Sequence, residues 1–270
     1  MQLNPQAPIG IFDSGIGGLT VANAIHQVLP KEKLIYFGDT AHLPYGEKSS
    51  AAIRSYALRI SDFLLEKDCK AIVIACNTAS AAAFEVVRDH LEGKCLVFDV
   101  INPVANAVSH DFREGNIGVI ATKATIRTDA YAKRINALNP DLKVHSLATP
   151  LLVPMIEEGF YNNNISKTII ASYLGKPKLK NIDALILACT HFPLIRPEIE
   201  AYYQGRVRIV DSAEIVAAEV FERIKEAGLL NKGEQANHEF YVSDYTHSFA
   251  ESTRFFFKGE IQLLPYNLWD

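Results

Sequence analysis

The chain lacks several features that would tie it to a particular partner or compartment. It carries no excess of positive charge: 27 Lys and Arg stand against 31 Asp and Glu, a formal net charge of −4. Nothing in that balance would track a nucleic-acid backbone or an anionic membrane surface. It has no long hydrophobic run. Ala71 to Ala75 and Ala184 to Ala188 are strand-sized, far short of the ~20 apolar residues that span a bilayer. Met1 to Pro8 has neither the basic start nor the apolar stretch of a secretion signal, so a cytoplasmic protein is expected. The four cysteines, Cys69, Cys76, Cys95 and Cys189, make no C-x-x-C pair and have no close pair of histidines. Structural zinc, other metals and disulfides are therefore not expected.

What is present is the material of a folded α/β protein. A hydrophobic fraction of 49% and a charged fraction of 21% in 270 residues supply a sizeable core and suggest roughly two domains. Short apolar, β-branched runs recur at Ile9-Phe12, Leu34-Phe37, Ala71-Ala75, Cys95-Phe98, Ile117-Ala121, Leu142-Leu147, Ala184-Ala188, Val207-Val210 and Glu239-Val242. Helix spacing intervenes, as in Leu19, Ala22, Ile25 and Leu29, or Ile53, Ala57, Ile60 and Leu64. Continuous apolar strands alternating with amphipathic helices predict doubly wound parallel sheets covered on both faces.

The chain also resembles itself. Ala71 to Thr78 is similar to Ala184 to His191, and Ile9 to Ser14 is similar to Ile117 to Thr122, in the same order. Two similar α/β halves related by a pseudo-twofold explain this, with the site in the cleft between them. The first half is expected over 1–98 with 211–270, the second over 99–210. The tail should add a helix, a strand and a last helix to the first half. No Gly/Ser-rich linker separates the halves, so they should dock closely.

In parallel sheets, ligands lie beyond the carboxyl ends of the strands. The polar ends here are Asp13-Ser14-Gly15-Ile16-Gly17-Gly18, Gly38-Asp39-Thr40, Cys76-Asn77-Thr78, Ala121-Thr122 and Cys189-Thr190-His191. The glycine loop invites a dinucleotide reading, with Asp39 as a ribose ligand, but Thr20 stands where the third glycine belongs and Asp13 would oppose a pyrophosphate. A tight strand-to-helix turn explains the glycines as well.

Cys69 and Cys95, at strand beginnings, read as small buried hydrophobes. Cys76 and Cys189 end buried strands and precede Asn/Thr helix caps, where free N–H groups favour the thiolate. One nucleophilic thiol would suggest acyl transfer. A symmetric pair on opposite faces of one carbon is instead what a cofactor-free racemase needs, one thiolate taking the α-proton and one thiol returning a proton to the far side. Asp13 and His191 would assist, each exchanging a proton with its thiol; alternatively Asp13 is a helix cap and His191 a capping or core histidine.

These motifs carry a family resemblance. Asp13 to Val21, Gly38-Asp39, Pro44-Tyr45-Gly46, Cys76-Asn77-Thr78 and Cys189-Thr190-His191 with Pro193-Leu194 occur in the order found in the glutamate racemases, cofactor-independent enzymes that interconvert L- and D-glutamate for peptidoglycan. The resemblance covers essentially the whole chain. It implies that Cys76 acts as base on D-glutamate and Cys189 on L-glutamate, with Asp13 beside the first thiol and His191 beside the second. It also implies substrate contacts at Ser14, Tyr45, Gly46, Asn77, Thr78, Thr122 and Thr190, neutral donors that replace the expected arginine, and a family acid at Glu157, with Glu158 beside it. Ala188 and Phe192 depart from a common glycine and tyrosine without removing a reacting group. No cofactor is expected; pyridoxal phosphate is disfavoured because no lysine occupies the strand-end motifs. A homodimer is common in the family. Longer members carry an N-terminal extension tied to activation by a peptidoglycan precursor, and the short lead before Ile9 predicts that this control is missing. The competing readings are an aspartate or hydantoin racemase, a non-catalytic amino-acid binding module and a thiol hydrolase.

Overall fold

The computed structural model describes residues 3–234 and 237–269. Among the described residues ten strands form: β1 (Ile9–Asp13), β2 (Leu34–Gly38), β3 (Ala71–Ile74), β4 (Leu96–Asp99), β5 (Gly115–Ala121), β6 (Leu142–Ala148), β7 (Ala184–Ala188), β8 (Arg208–Asp211), β9 (Glu239–Val242) and β10 (Leu263–Pro265). They make two all-parallel sheets, ordered β10-β9-β2-β1-β3-β4 and β6-β5-β7-β8. The run β2-β1-β3-β4 of the first sheet and the four strands of the second have the same order, second-first-third-fourth. The internal resemblance is thus a repeat of topology. β1, β2 and β7 are buried at every residue, as a sheet covered on both faces requires.

Helices cover the sheets through the spacing read from the sequence. Ile53, Ala57, Ile60 and Leu64 are buried on the helix Ser50–Glu66, and Leu19, Ala22 and Ile25 on the helix Leu19–Val28, with Leu29 buried just past its end. One apolar cluster runs between the sheets and is shared by them. It joins Ile9, Ile11 and Val73 of the first to Ile117, Val119 and Ile186 of the second. Separate clusters fill the outer face of each sheet. The helix Ser212–Glu226 lies in the shared layer, packing on both Leu19–Val28 and Asn102–Asp111. No helix among the described residues is long and apolar enough to cross a membrane.

Two details differ from expectation. β4 and β8 each begin and end one residue later than the apolar runs read from the sequence, so that they close on Asp99 and Asp211. The tail ends in an additional strand, β10, beyond the helix His247–Phe256. It spans only three residues and ends in proline, a residue confined to sheet edges because it cannot donate to the ladder. A run that short has no readable periodicity.

The tail is fastened at the amino end of the first sheet by a buried ion pair. Lys70 and Glu32 are 0% and 1% exposed. The ammonium donates to the Glu32 carboxylate and to the carbonyls of Pro5 and Leu229, while Glu32 also accepts from the Asn231 N–H. Because a buried charge that loses its partner is left uncompensated, Lys70→Met should cost about 3–5 kcal/mol in urea unfolding, and adding Glu32→Gln should recover part of it. A loss below about 1 kcal/mol would contradict the role given to the pair.

Candidate active site

In each half the chain order reverses beside the first strand: β2 and β6 lie to one side, β3 and β7 to the other. Loops leaving adjacent strands at such a switch point diverge and leave a crevice. The crevices at β1/β3 and β5/β7 face each other and merge into one cavity of about 280 Å³. Ser14, Tyr45, Gly46, Cys76, Asn77, Thr78, Thr122, Glu157, Cys189, Thr190 and His191 all line it. Asp13 lies behind this lining, fully buried at the end of β1.

Cys76 is itself the N-cap of the helix Asn77–His90, its sulfur accepting from the Ala79 N–H at 3.4 Å and lying 3.8 Å from Ser14 Oγ. The sequence predicts a favoured thiolate at this helix end. The balance comes out the other way: burial, followed by the negative charge of Asp13, pushes the Cys76 thiol well up, outweighing the Ala79 N–H and the Ser14 hydroxyl. Cys76 is held as a thiol. Asp13 does not cap the helix Leu19–Val28 through its N-cap side chain. It accepts from the Gly18 N–H at 2.7 Å, and its other oxygen has no partner among the described residues.

The second thiol has a different setting. No α-helix begins at Cys189. Thr190 and His191 lead into a 3-10 turn, Phe192–Ile195, before the helix Arg196–Tyr203. Pro193, which lacks an N–H, sits in the first turn. In place of helix N–H groups Cys189 has His191, with Nδ1 3.9 Å from the sulfur and Nε2 donating to Glu157 Oε1 at 3.0 Å. Burial alone would lower the His191 pKa, but the bonds to Cys189 and Glu157 outweigh it and raise it to about 10. His191 is thus an imidazolium between a sulfur and a carboxylate.

The halves touch through small groups. A Cβ on Gly17 would lie 2.5 Å from His191 Cε1 and 2.7 Å from Thr190 Oγ1. The glycine loop therefore closes on the second half, which is the use of its missing side chains. Thr20 Oγ1 donates to the Thr190 carbonyl. Thr78, Thr122 and Thr125 bring three hydroxyls within 2.9–3.1 Å of one another across the seam. Tyr131 donates to Asn77 Oδ1 at 2.7 Å, and the buried Asn77 amide nitrogen has no acceptor among the described residues. Asp39, a ribose ligand in the dinucleotide reading, is instead a buried hub that accepts from Tyr45, Ser243 and Trp269. The Tyr45 hydroxyl is thereby engaged away from the cavity, and the hub fixes the loop that presents Gly46.

Sequence reasoning missed part of the lining: Glu47, Lys123, Thr149 and Val153. Lys123 follows Thr122 directly, one residue beyond the strand-end motif. Its ammonium pairs with Glu47 at 3.2 Å. Thr149 could have been found from the repeat, because the end of β6 corresponds to the end of β2, where Asp39 stands. Among the described residues no cluster of three or more His, Cys, Asp or Glu converges as a metal site.

The two-halved parallel fold is shared with known proteins. The sequence model of the Asp/Glu/hydantoin racemase family matches residues 15–220, so the chain belongs to that family and is an isomerase. Within it the likeness is to glutamate racemases. The protein of that name from Neisseria meningitidis serogroup A is 47% identical over 240 residues, 88% of each chain. That from Geobacter metallireducens is 43% identical over 258 residues, 95% of each. The crystal structure of glutamate racemase from Francisella tularensis in complex with D-glutamate superposes with a TM-score of 0.92 at 39% identity, covering 98% of this chain and 99% of that one.

The close approach at Gly17 yields a test. Gly17→Ala should lower kcat/KM at least about tenfold by displacing His191, whereas Gly15→Ala, whose Cβ would meet the end of the Leu43 side chain at 3.1 Å, should cost much less. Equal losses for the two variants would mean that this contact does not set the site.

Proposed function

We propose that this chain interconverts L- and D-glutamate without a cofactor, by proton transfer between two cysteines and the α-carbon, and so supplies D-glutamate to peptidoglycan assembly. The observation that carries the reading is the pair Cys76 and Cys189, at the ends of the equivalent strands β3 and β7 of opposite halves and lining one cavity. Residues 1–98 with 211–270 act as one domain contributing Cys76, and 99–210 as the other contributing Cys189. The family relationship supports glutamate as substrate, and also a homodimer working in the cytoplasm.

The two ends have complementary protonation. With Cys76 held as a thiol and His191 as an imidazolium beside Cys189, the resting enzyme is set for a Cys189 thiolate to take the α-proton of L-glutamate. Cys76 then gives its proton to the opposite face of the same carbon. The cycle leaves Cys189 as thiol and Cys76 as thiolate, the form that accepts D-glutamate. Asp13 and His191 return the protons that reset the pair. The amide nitrogen of Asn77 and the hydroxyls of Ser14, Thr78, Thr122 and Thr190 bind the substrate's polar groups, with Gly46 lending its backbone. Tyr45 acts through Asp39, as a positioning residue for this loop.

Cys76→Ser and Cys189→Ser should each reduce racemisation by at least about a thousandfold, a loss of the size expected when a reacting group is removed. Each should retain elimination of water from the one enantiomer of a β-hydroxylated glutamate that its remaining thiol faces, since elimination needs only one base. A variant that still racemises at a tenth of the normal rate would overturn the two-thiol reading.

The pH dependence follows from the charges. kcat/KM for L-glutamate should be bell-shaped, because the free enzyme must hold Cys189 as thiolate while Cys76 and His191 keep their protons, and the alkaline limb follows His191, the first of the two to lose its proton. The Glu157 carboxylate favours the protonated form of His191, so Glu157→Gln lowers the His191 pKa, and the alkaline limb for L-glutamate should move to lower pH by roughly one unit. A limb that stays in place would remove Glu157 from this role.

A further inference from the structure

Lys123 and Glu47 meet across the cleft, one from each half. Lys123 opens the helix Lys123–Thr128 and Glu47 closes the 3-10 helix Tyr45–Glu47. The ammonium is 3.2 Å from Oε1, both side chains are about half exposed (54% and 58%), and both residues line the cavity that holds the thiols. The backbone walls beneath them are pinned separately. A Cβ on Gly46 would lie 3.0 Å from Thr122 Cβ, and Arg127 donates to the Lys48 carbonyl. The ion pair can therefore open without the walls parting.

Charge gives the pair a task. Among the described residues lining the cavity, Lys123 is the one Lys or Arg, and it shares that lining with the carboxylates of Glu47 and Glu157. Because Glu157 is already paired with the His191 imidazolium beside Cys189, an incoming amino acid with two carboxylates finds one further cation in this lining, Lys123, held by Glu47. Its α-carbon must lie between the sulfurs, where Asn77, Thr78 and Thr190 offer neutral donors, and this leaves the second carboxylate without a cation of its own. An ion pair so open to water contributes little to stability. Exchanging one carboxylate for another at Lys123 is therefore cheap.

We propose that Lys123 is a specificity-determining residue, held by Glu47 in the resting enzyme and transferred to the distal carboxylate of the substrate, so that the pair is a latch opened by a dicarboxylate. The inference rests on the glutamate racemase reading. Steady-state racemisation of L-glutamate at low and high salt tests it, with Lys123→Met, Lys123→Arg and Glu47→Gln. Lys123→Met should raise KM about three- to tenfold with kcat within about twofold, and should weaken the salt dependence of kcat/KM. Lys123→Arg should keep the wild-type KM, and Glu47→Gln should lower it by freeing the ammonium.

A KM raised equally by Glu47→Gln and Lys123→Met would make the pair a structural clasp and overturn the proposal. A KM unmoved by Lys123→Met would also overturn it, leaving the racemase reading intact. Wild-type protein unable to racemise glutamate would take both down.

Discussion

The site depends on how closely two sheets can bring their carboxyl ends together. At Gly17 the loop after β1 lies against His191 and Thr190 with no room for a methyl group. Beside it the hydroxyls of Thr78, Thr122 and Thr125 bond across the same seam. Groups this small let two separately folded crevices merge, and the merger places a thiol from each on the walls of one cavity. The shared apolar layer beneath, built from both sheets and the helix Ser212–Glu226, holds the approach in place. A close-packed interior resists the tenths of an ångström that would separate the halves.

Equal topology does not give equal chemistry. Cys76 sits in the first turn of a long helix, yet burial and Asp13 keep its proton on. Cys189 has no helix behind it and relies on His191, kept cationic by Glu157 as well as by the sulfur. The repeat supplies two equivalent positions, and the residues around them give the two thiols unlike surroundings. In the proposed two-thiol mechanism that difference lets one thiol act as acid while the other acts as base. Each turnover of that proposed cycle reverses the assignment, and a molecule of the opposite enantiomer restores it.

Much of this was legible in the sequence, for physical reasons that can be named. β1, β3, β5 and β7 carry apolar runs because both faces of a parallel sheet are buried, and the polar residues at or just beyond their ends stand out against that background. Repetition of the Cys76 and Cys189 strands pointed to two halves and one cleft. Other features depend on contacts between residues distant in the chain. The expected thiolate at Cys76 followed from helix position, a local property, while the burial and the neighbouring Asp13 carboxylate that reverse it come from packing. Asp39 looked like a ligand because it ends a strand; its partners Ser243 and Trp269 lie some two hundred residues away. Lys123 was passed over although it adjoins Thr122, since its meaning comes from Glu47 across the cleft. β10 gave no signal, being three residues at a sheet edge.

The central claim is that two different groups handle the two faces of one carbon. Its most direct test is racemisation of L-glutamate in deuterated water, stopped after a small fraction of one conversion, with both enantiomers separated and their α-positions read by mass spectrometry. Two thiols acting from opposite sides predict D-glutamate carrying solvent deuterium at the α-carbon and recovered L-glutamate carrying almost none. Label appearing in both enantiomers at the same pace, or product that retains the original proton, would contradict the account.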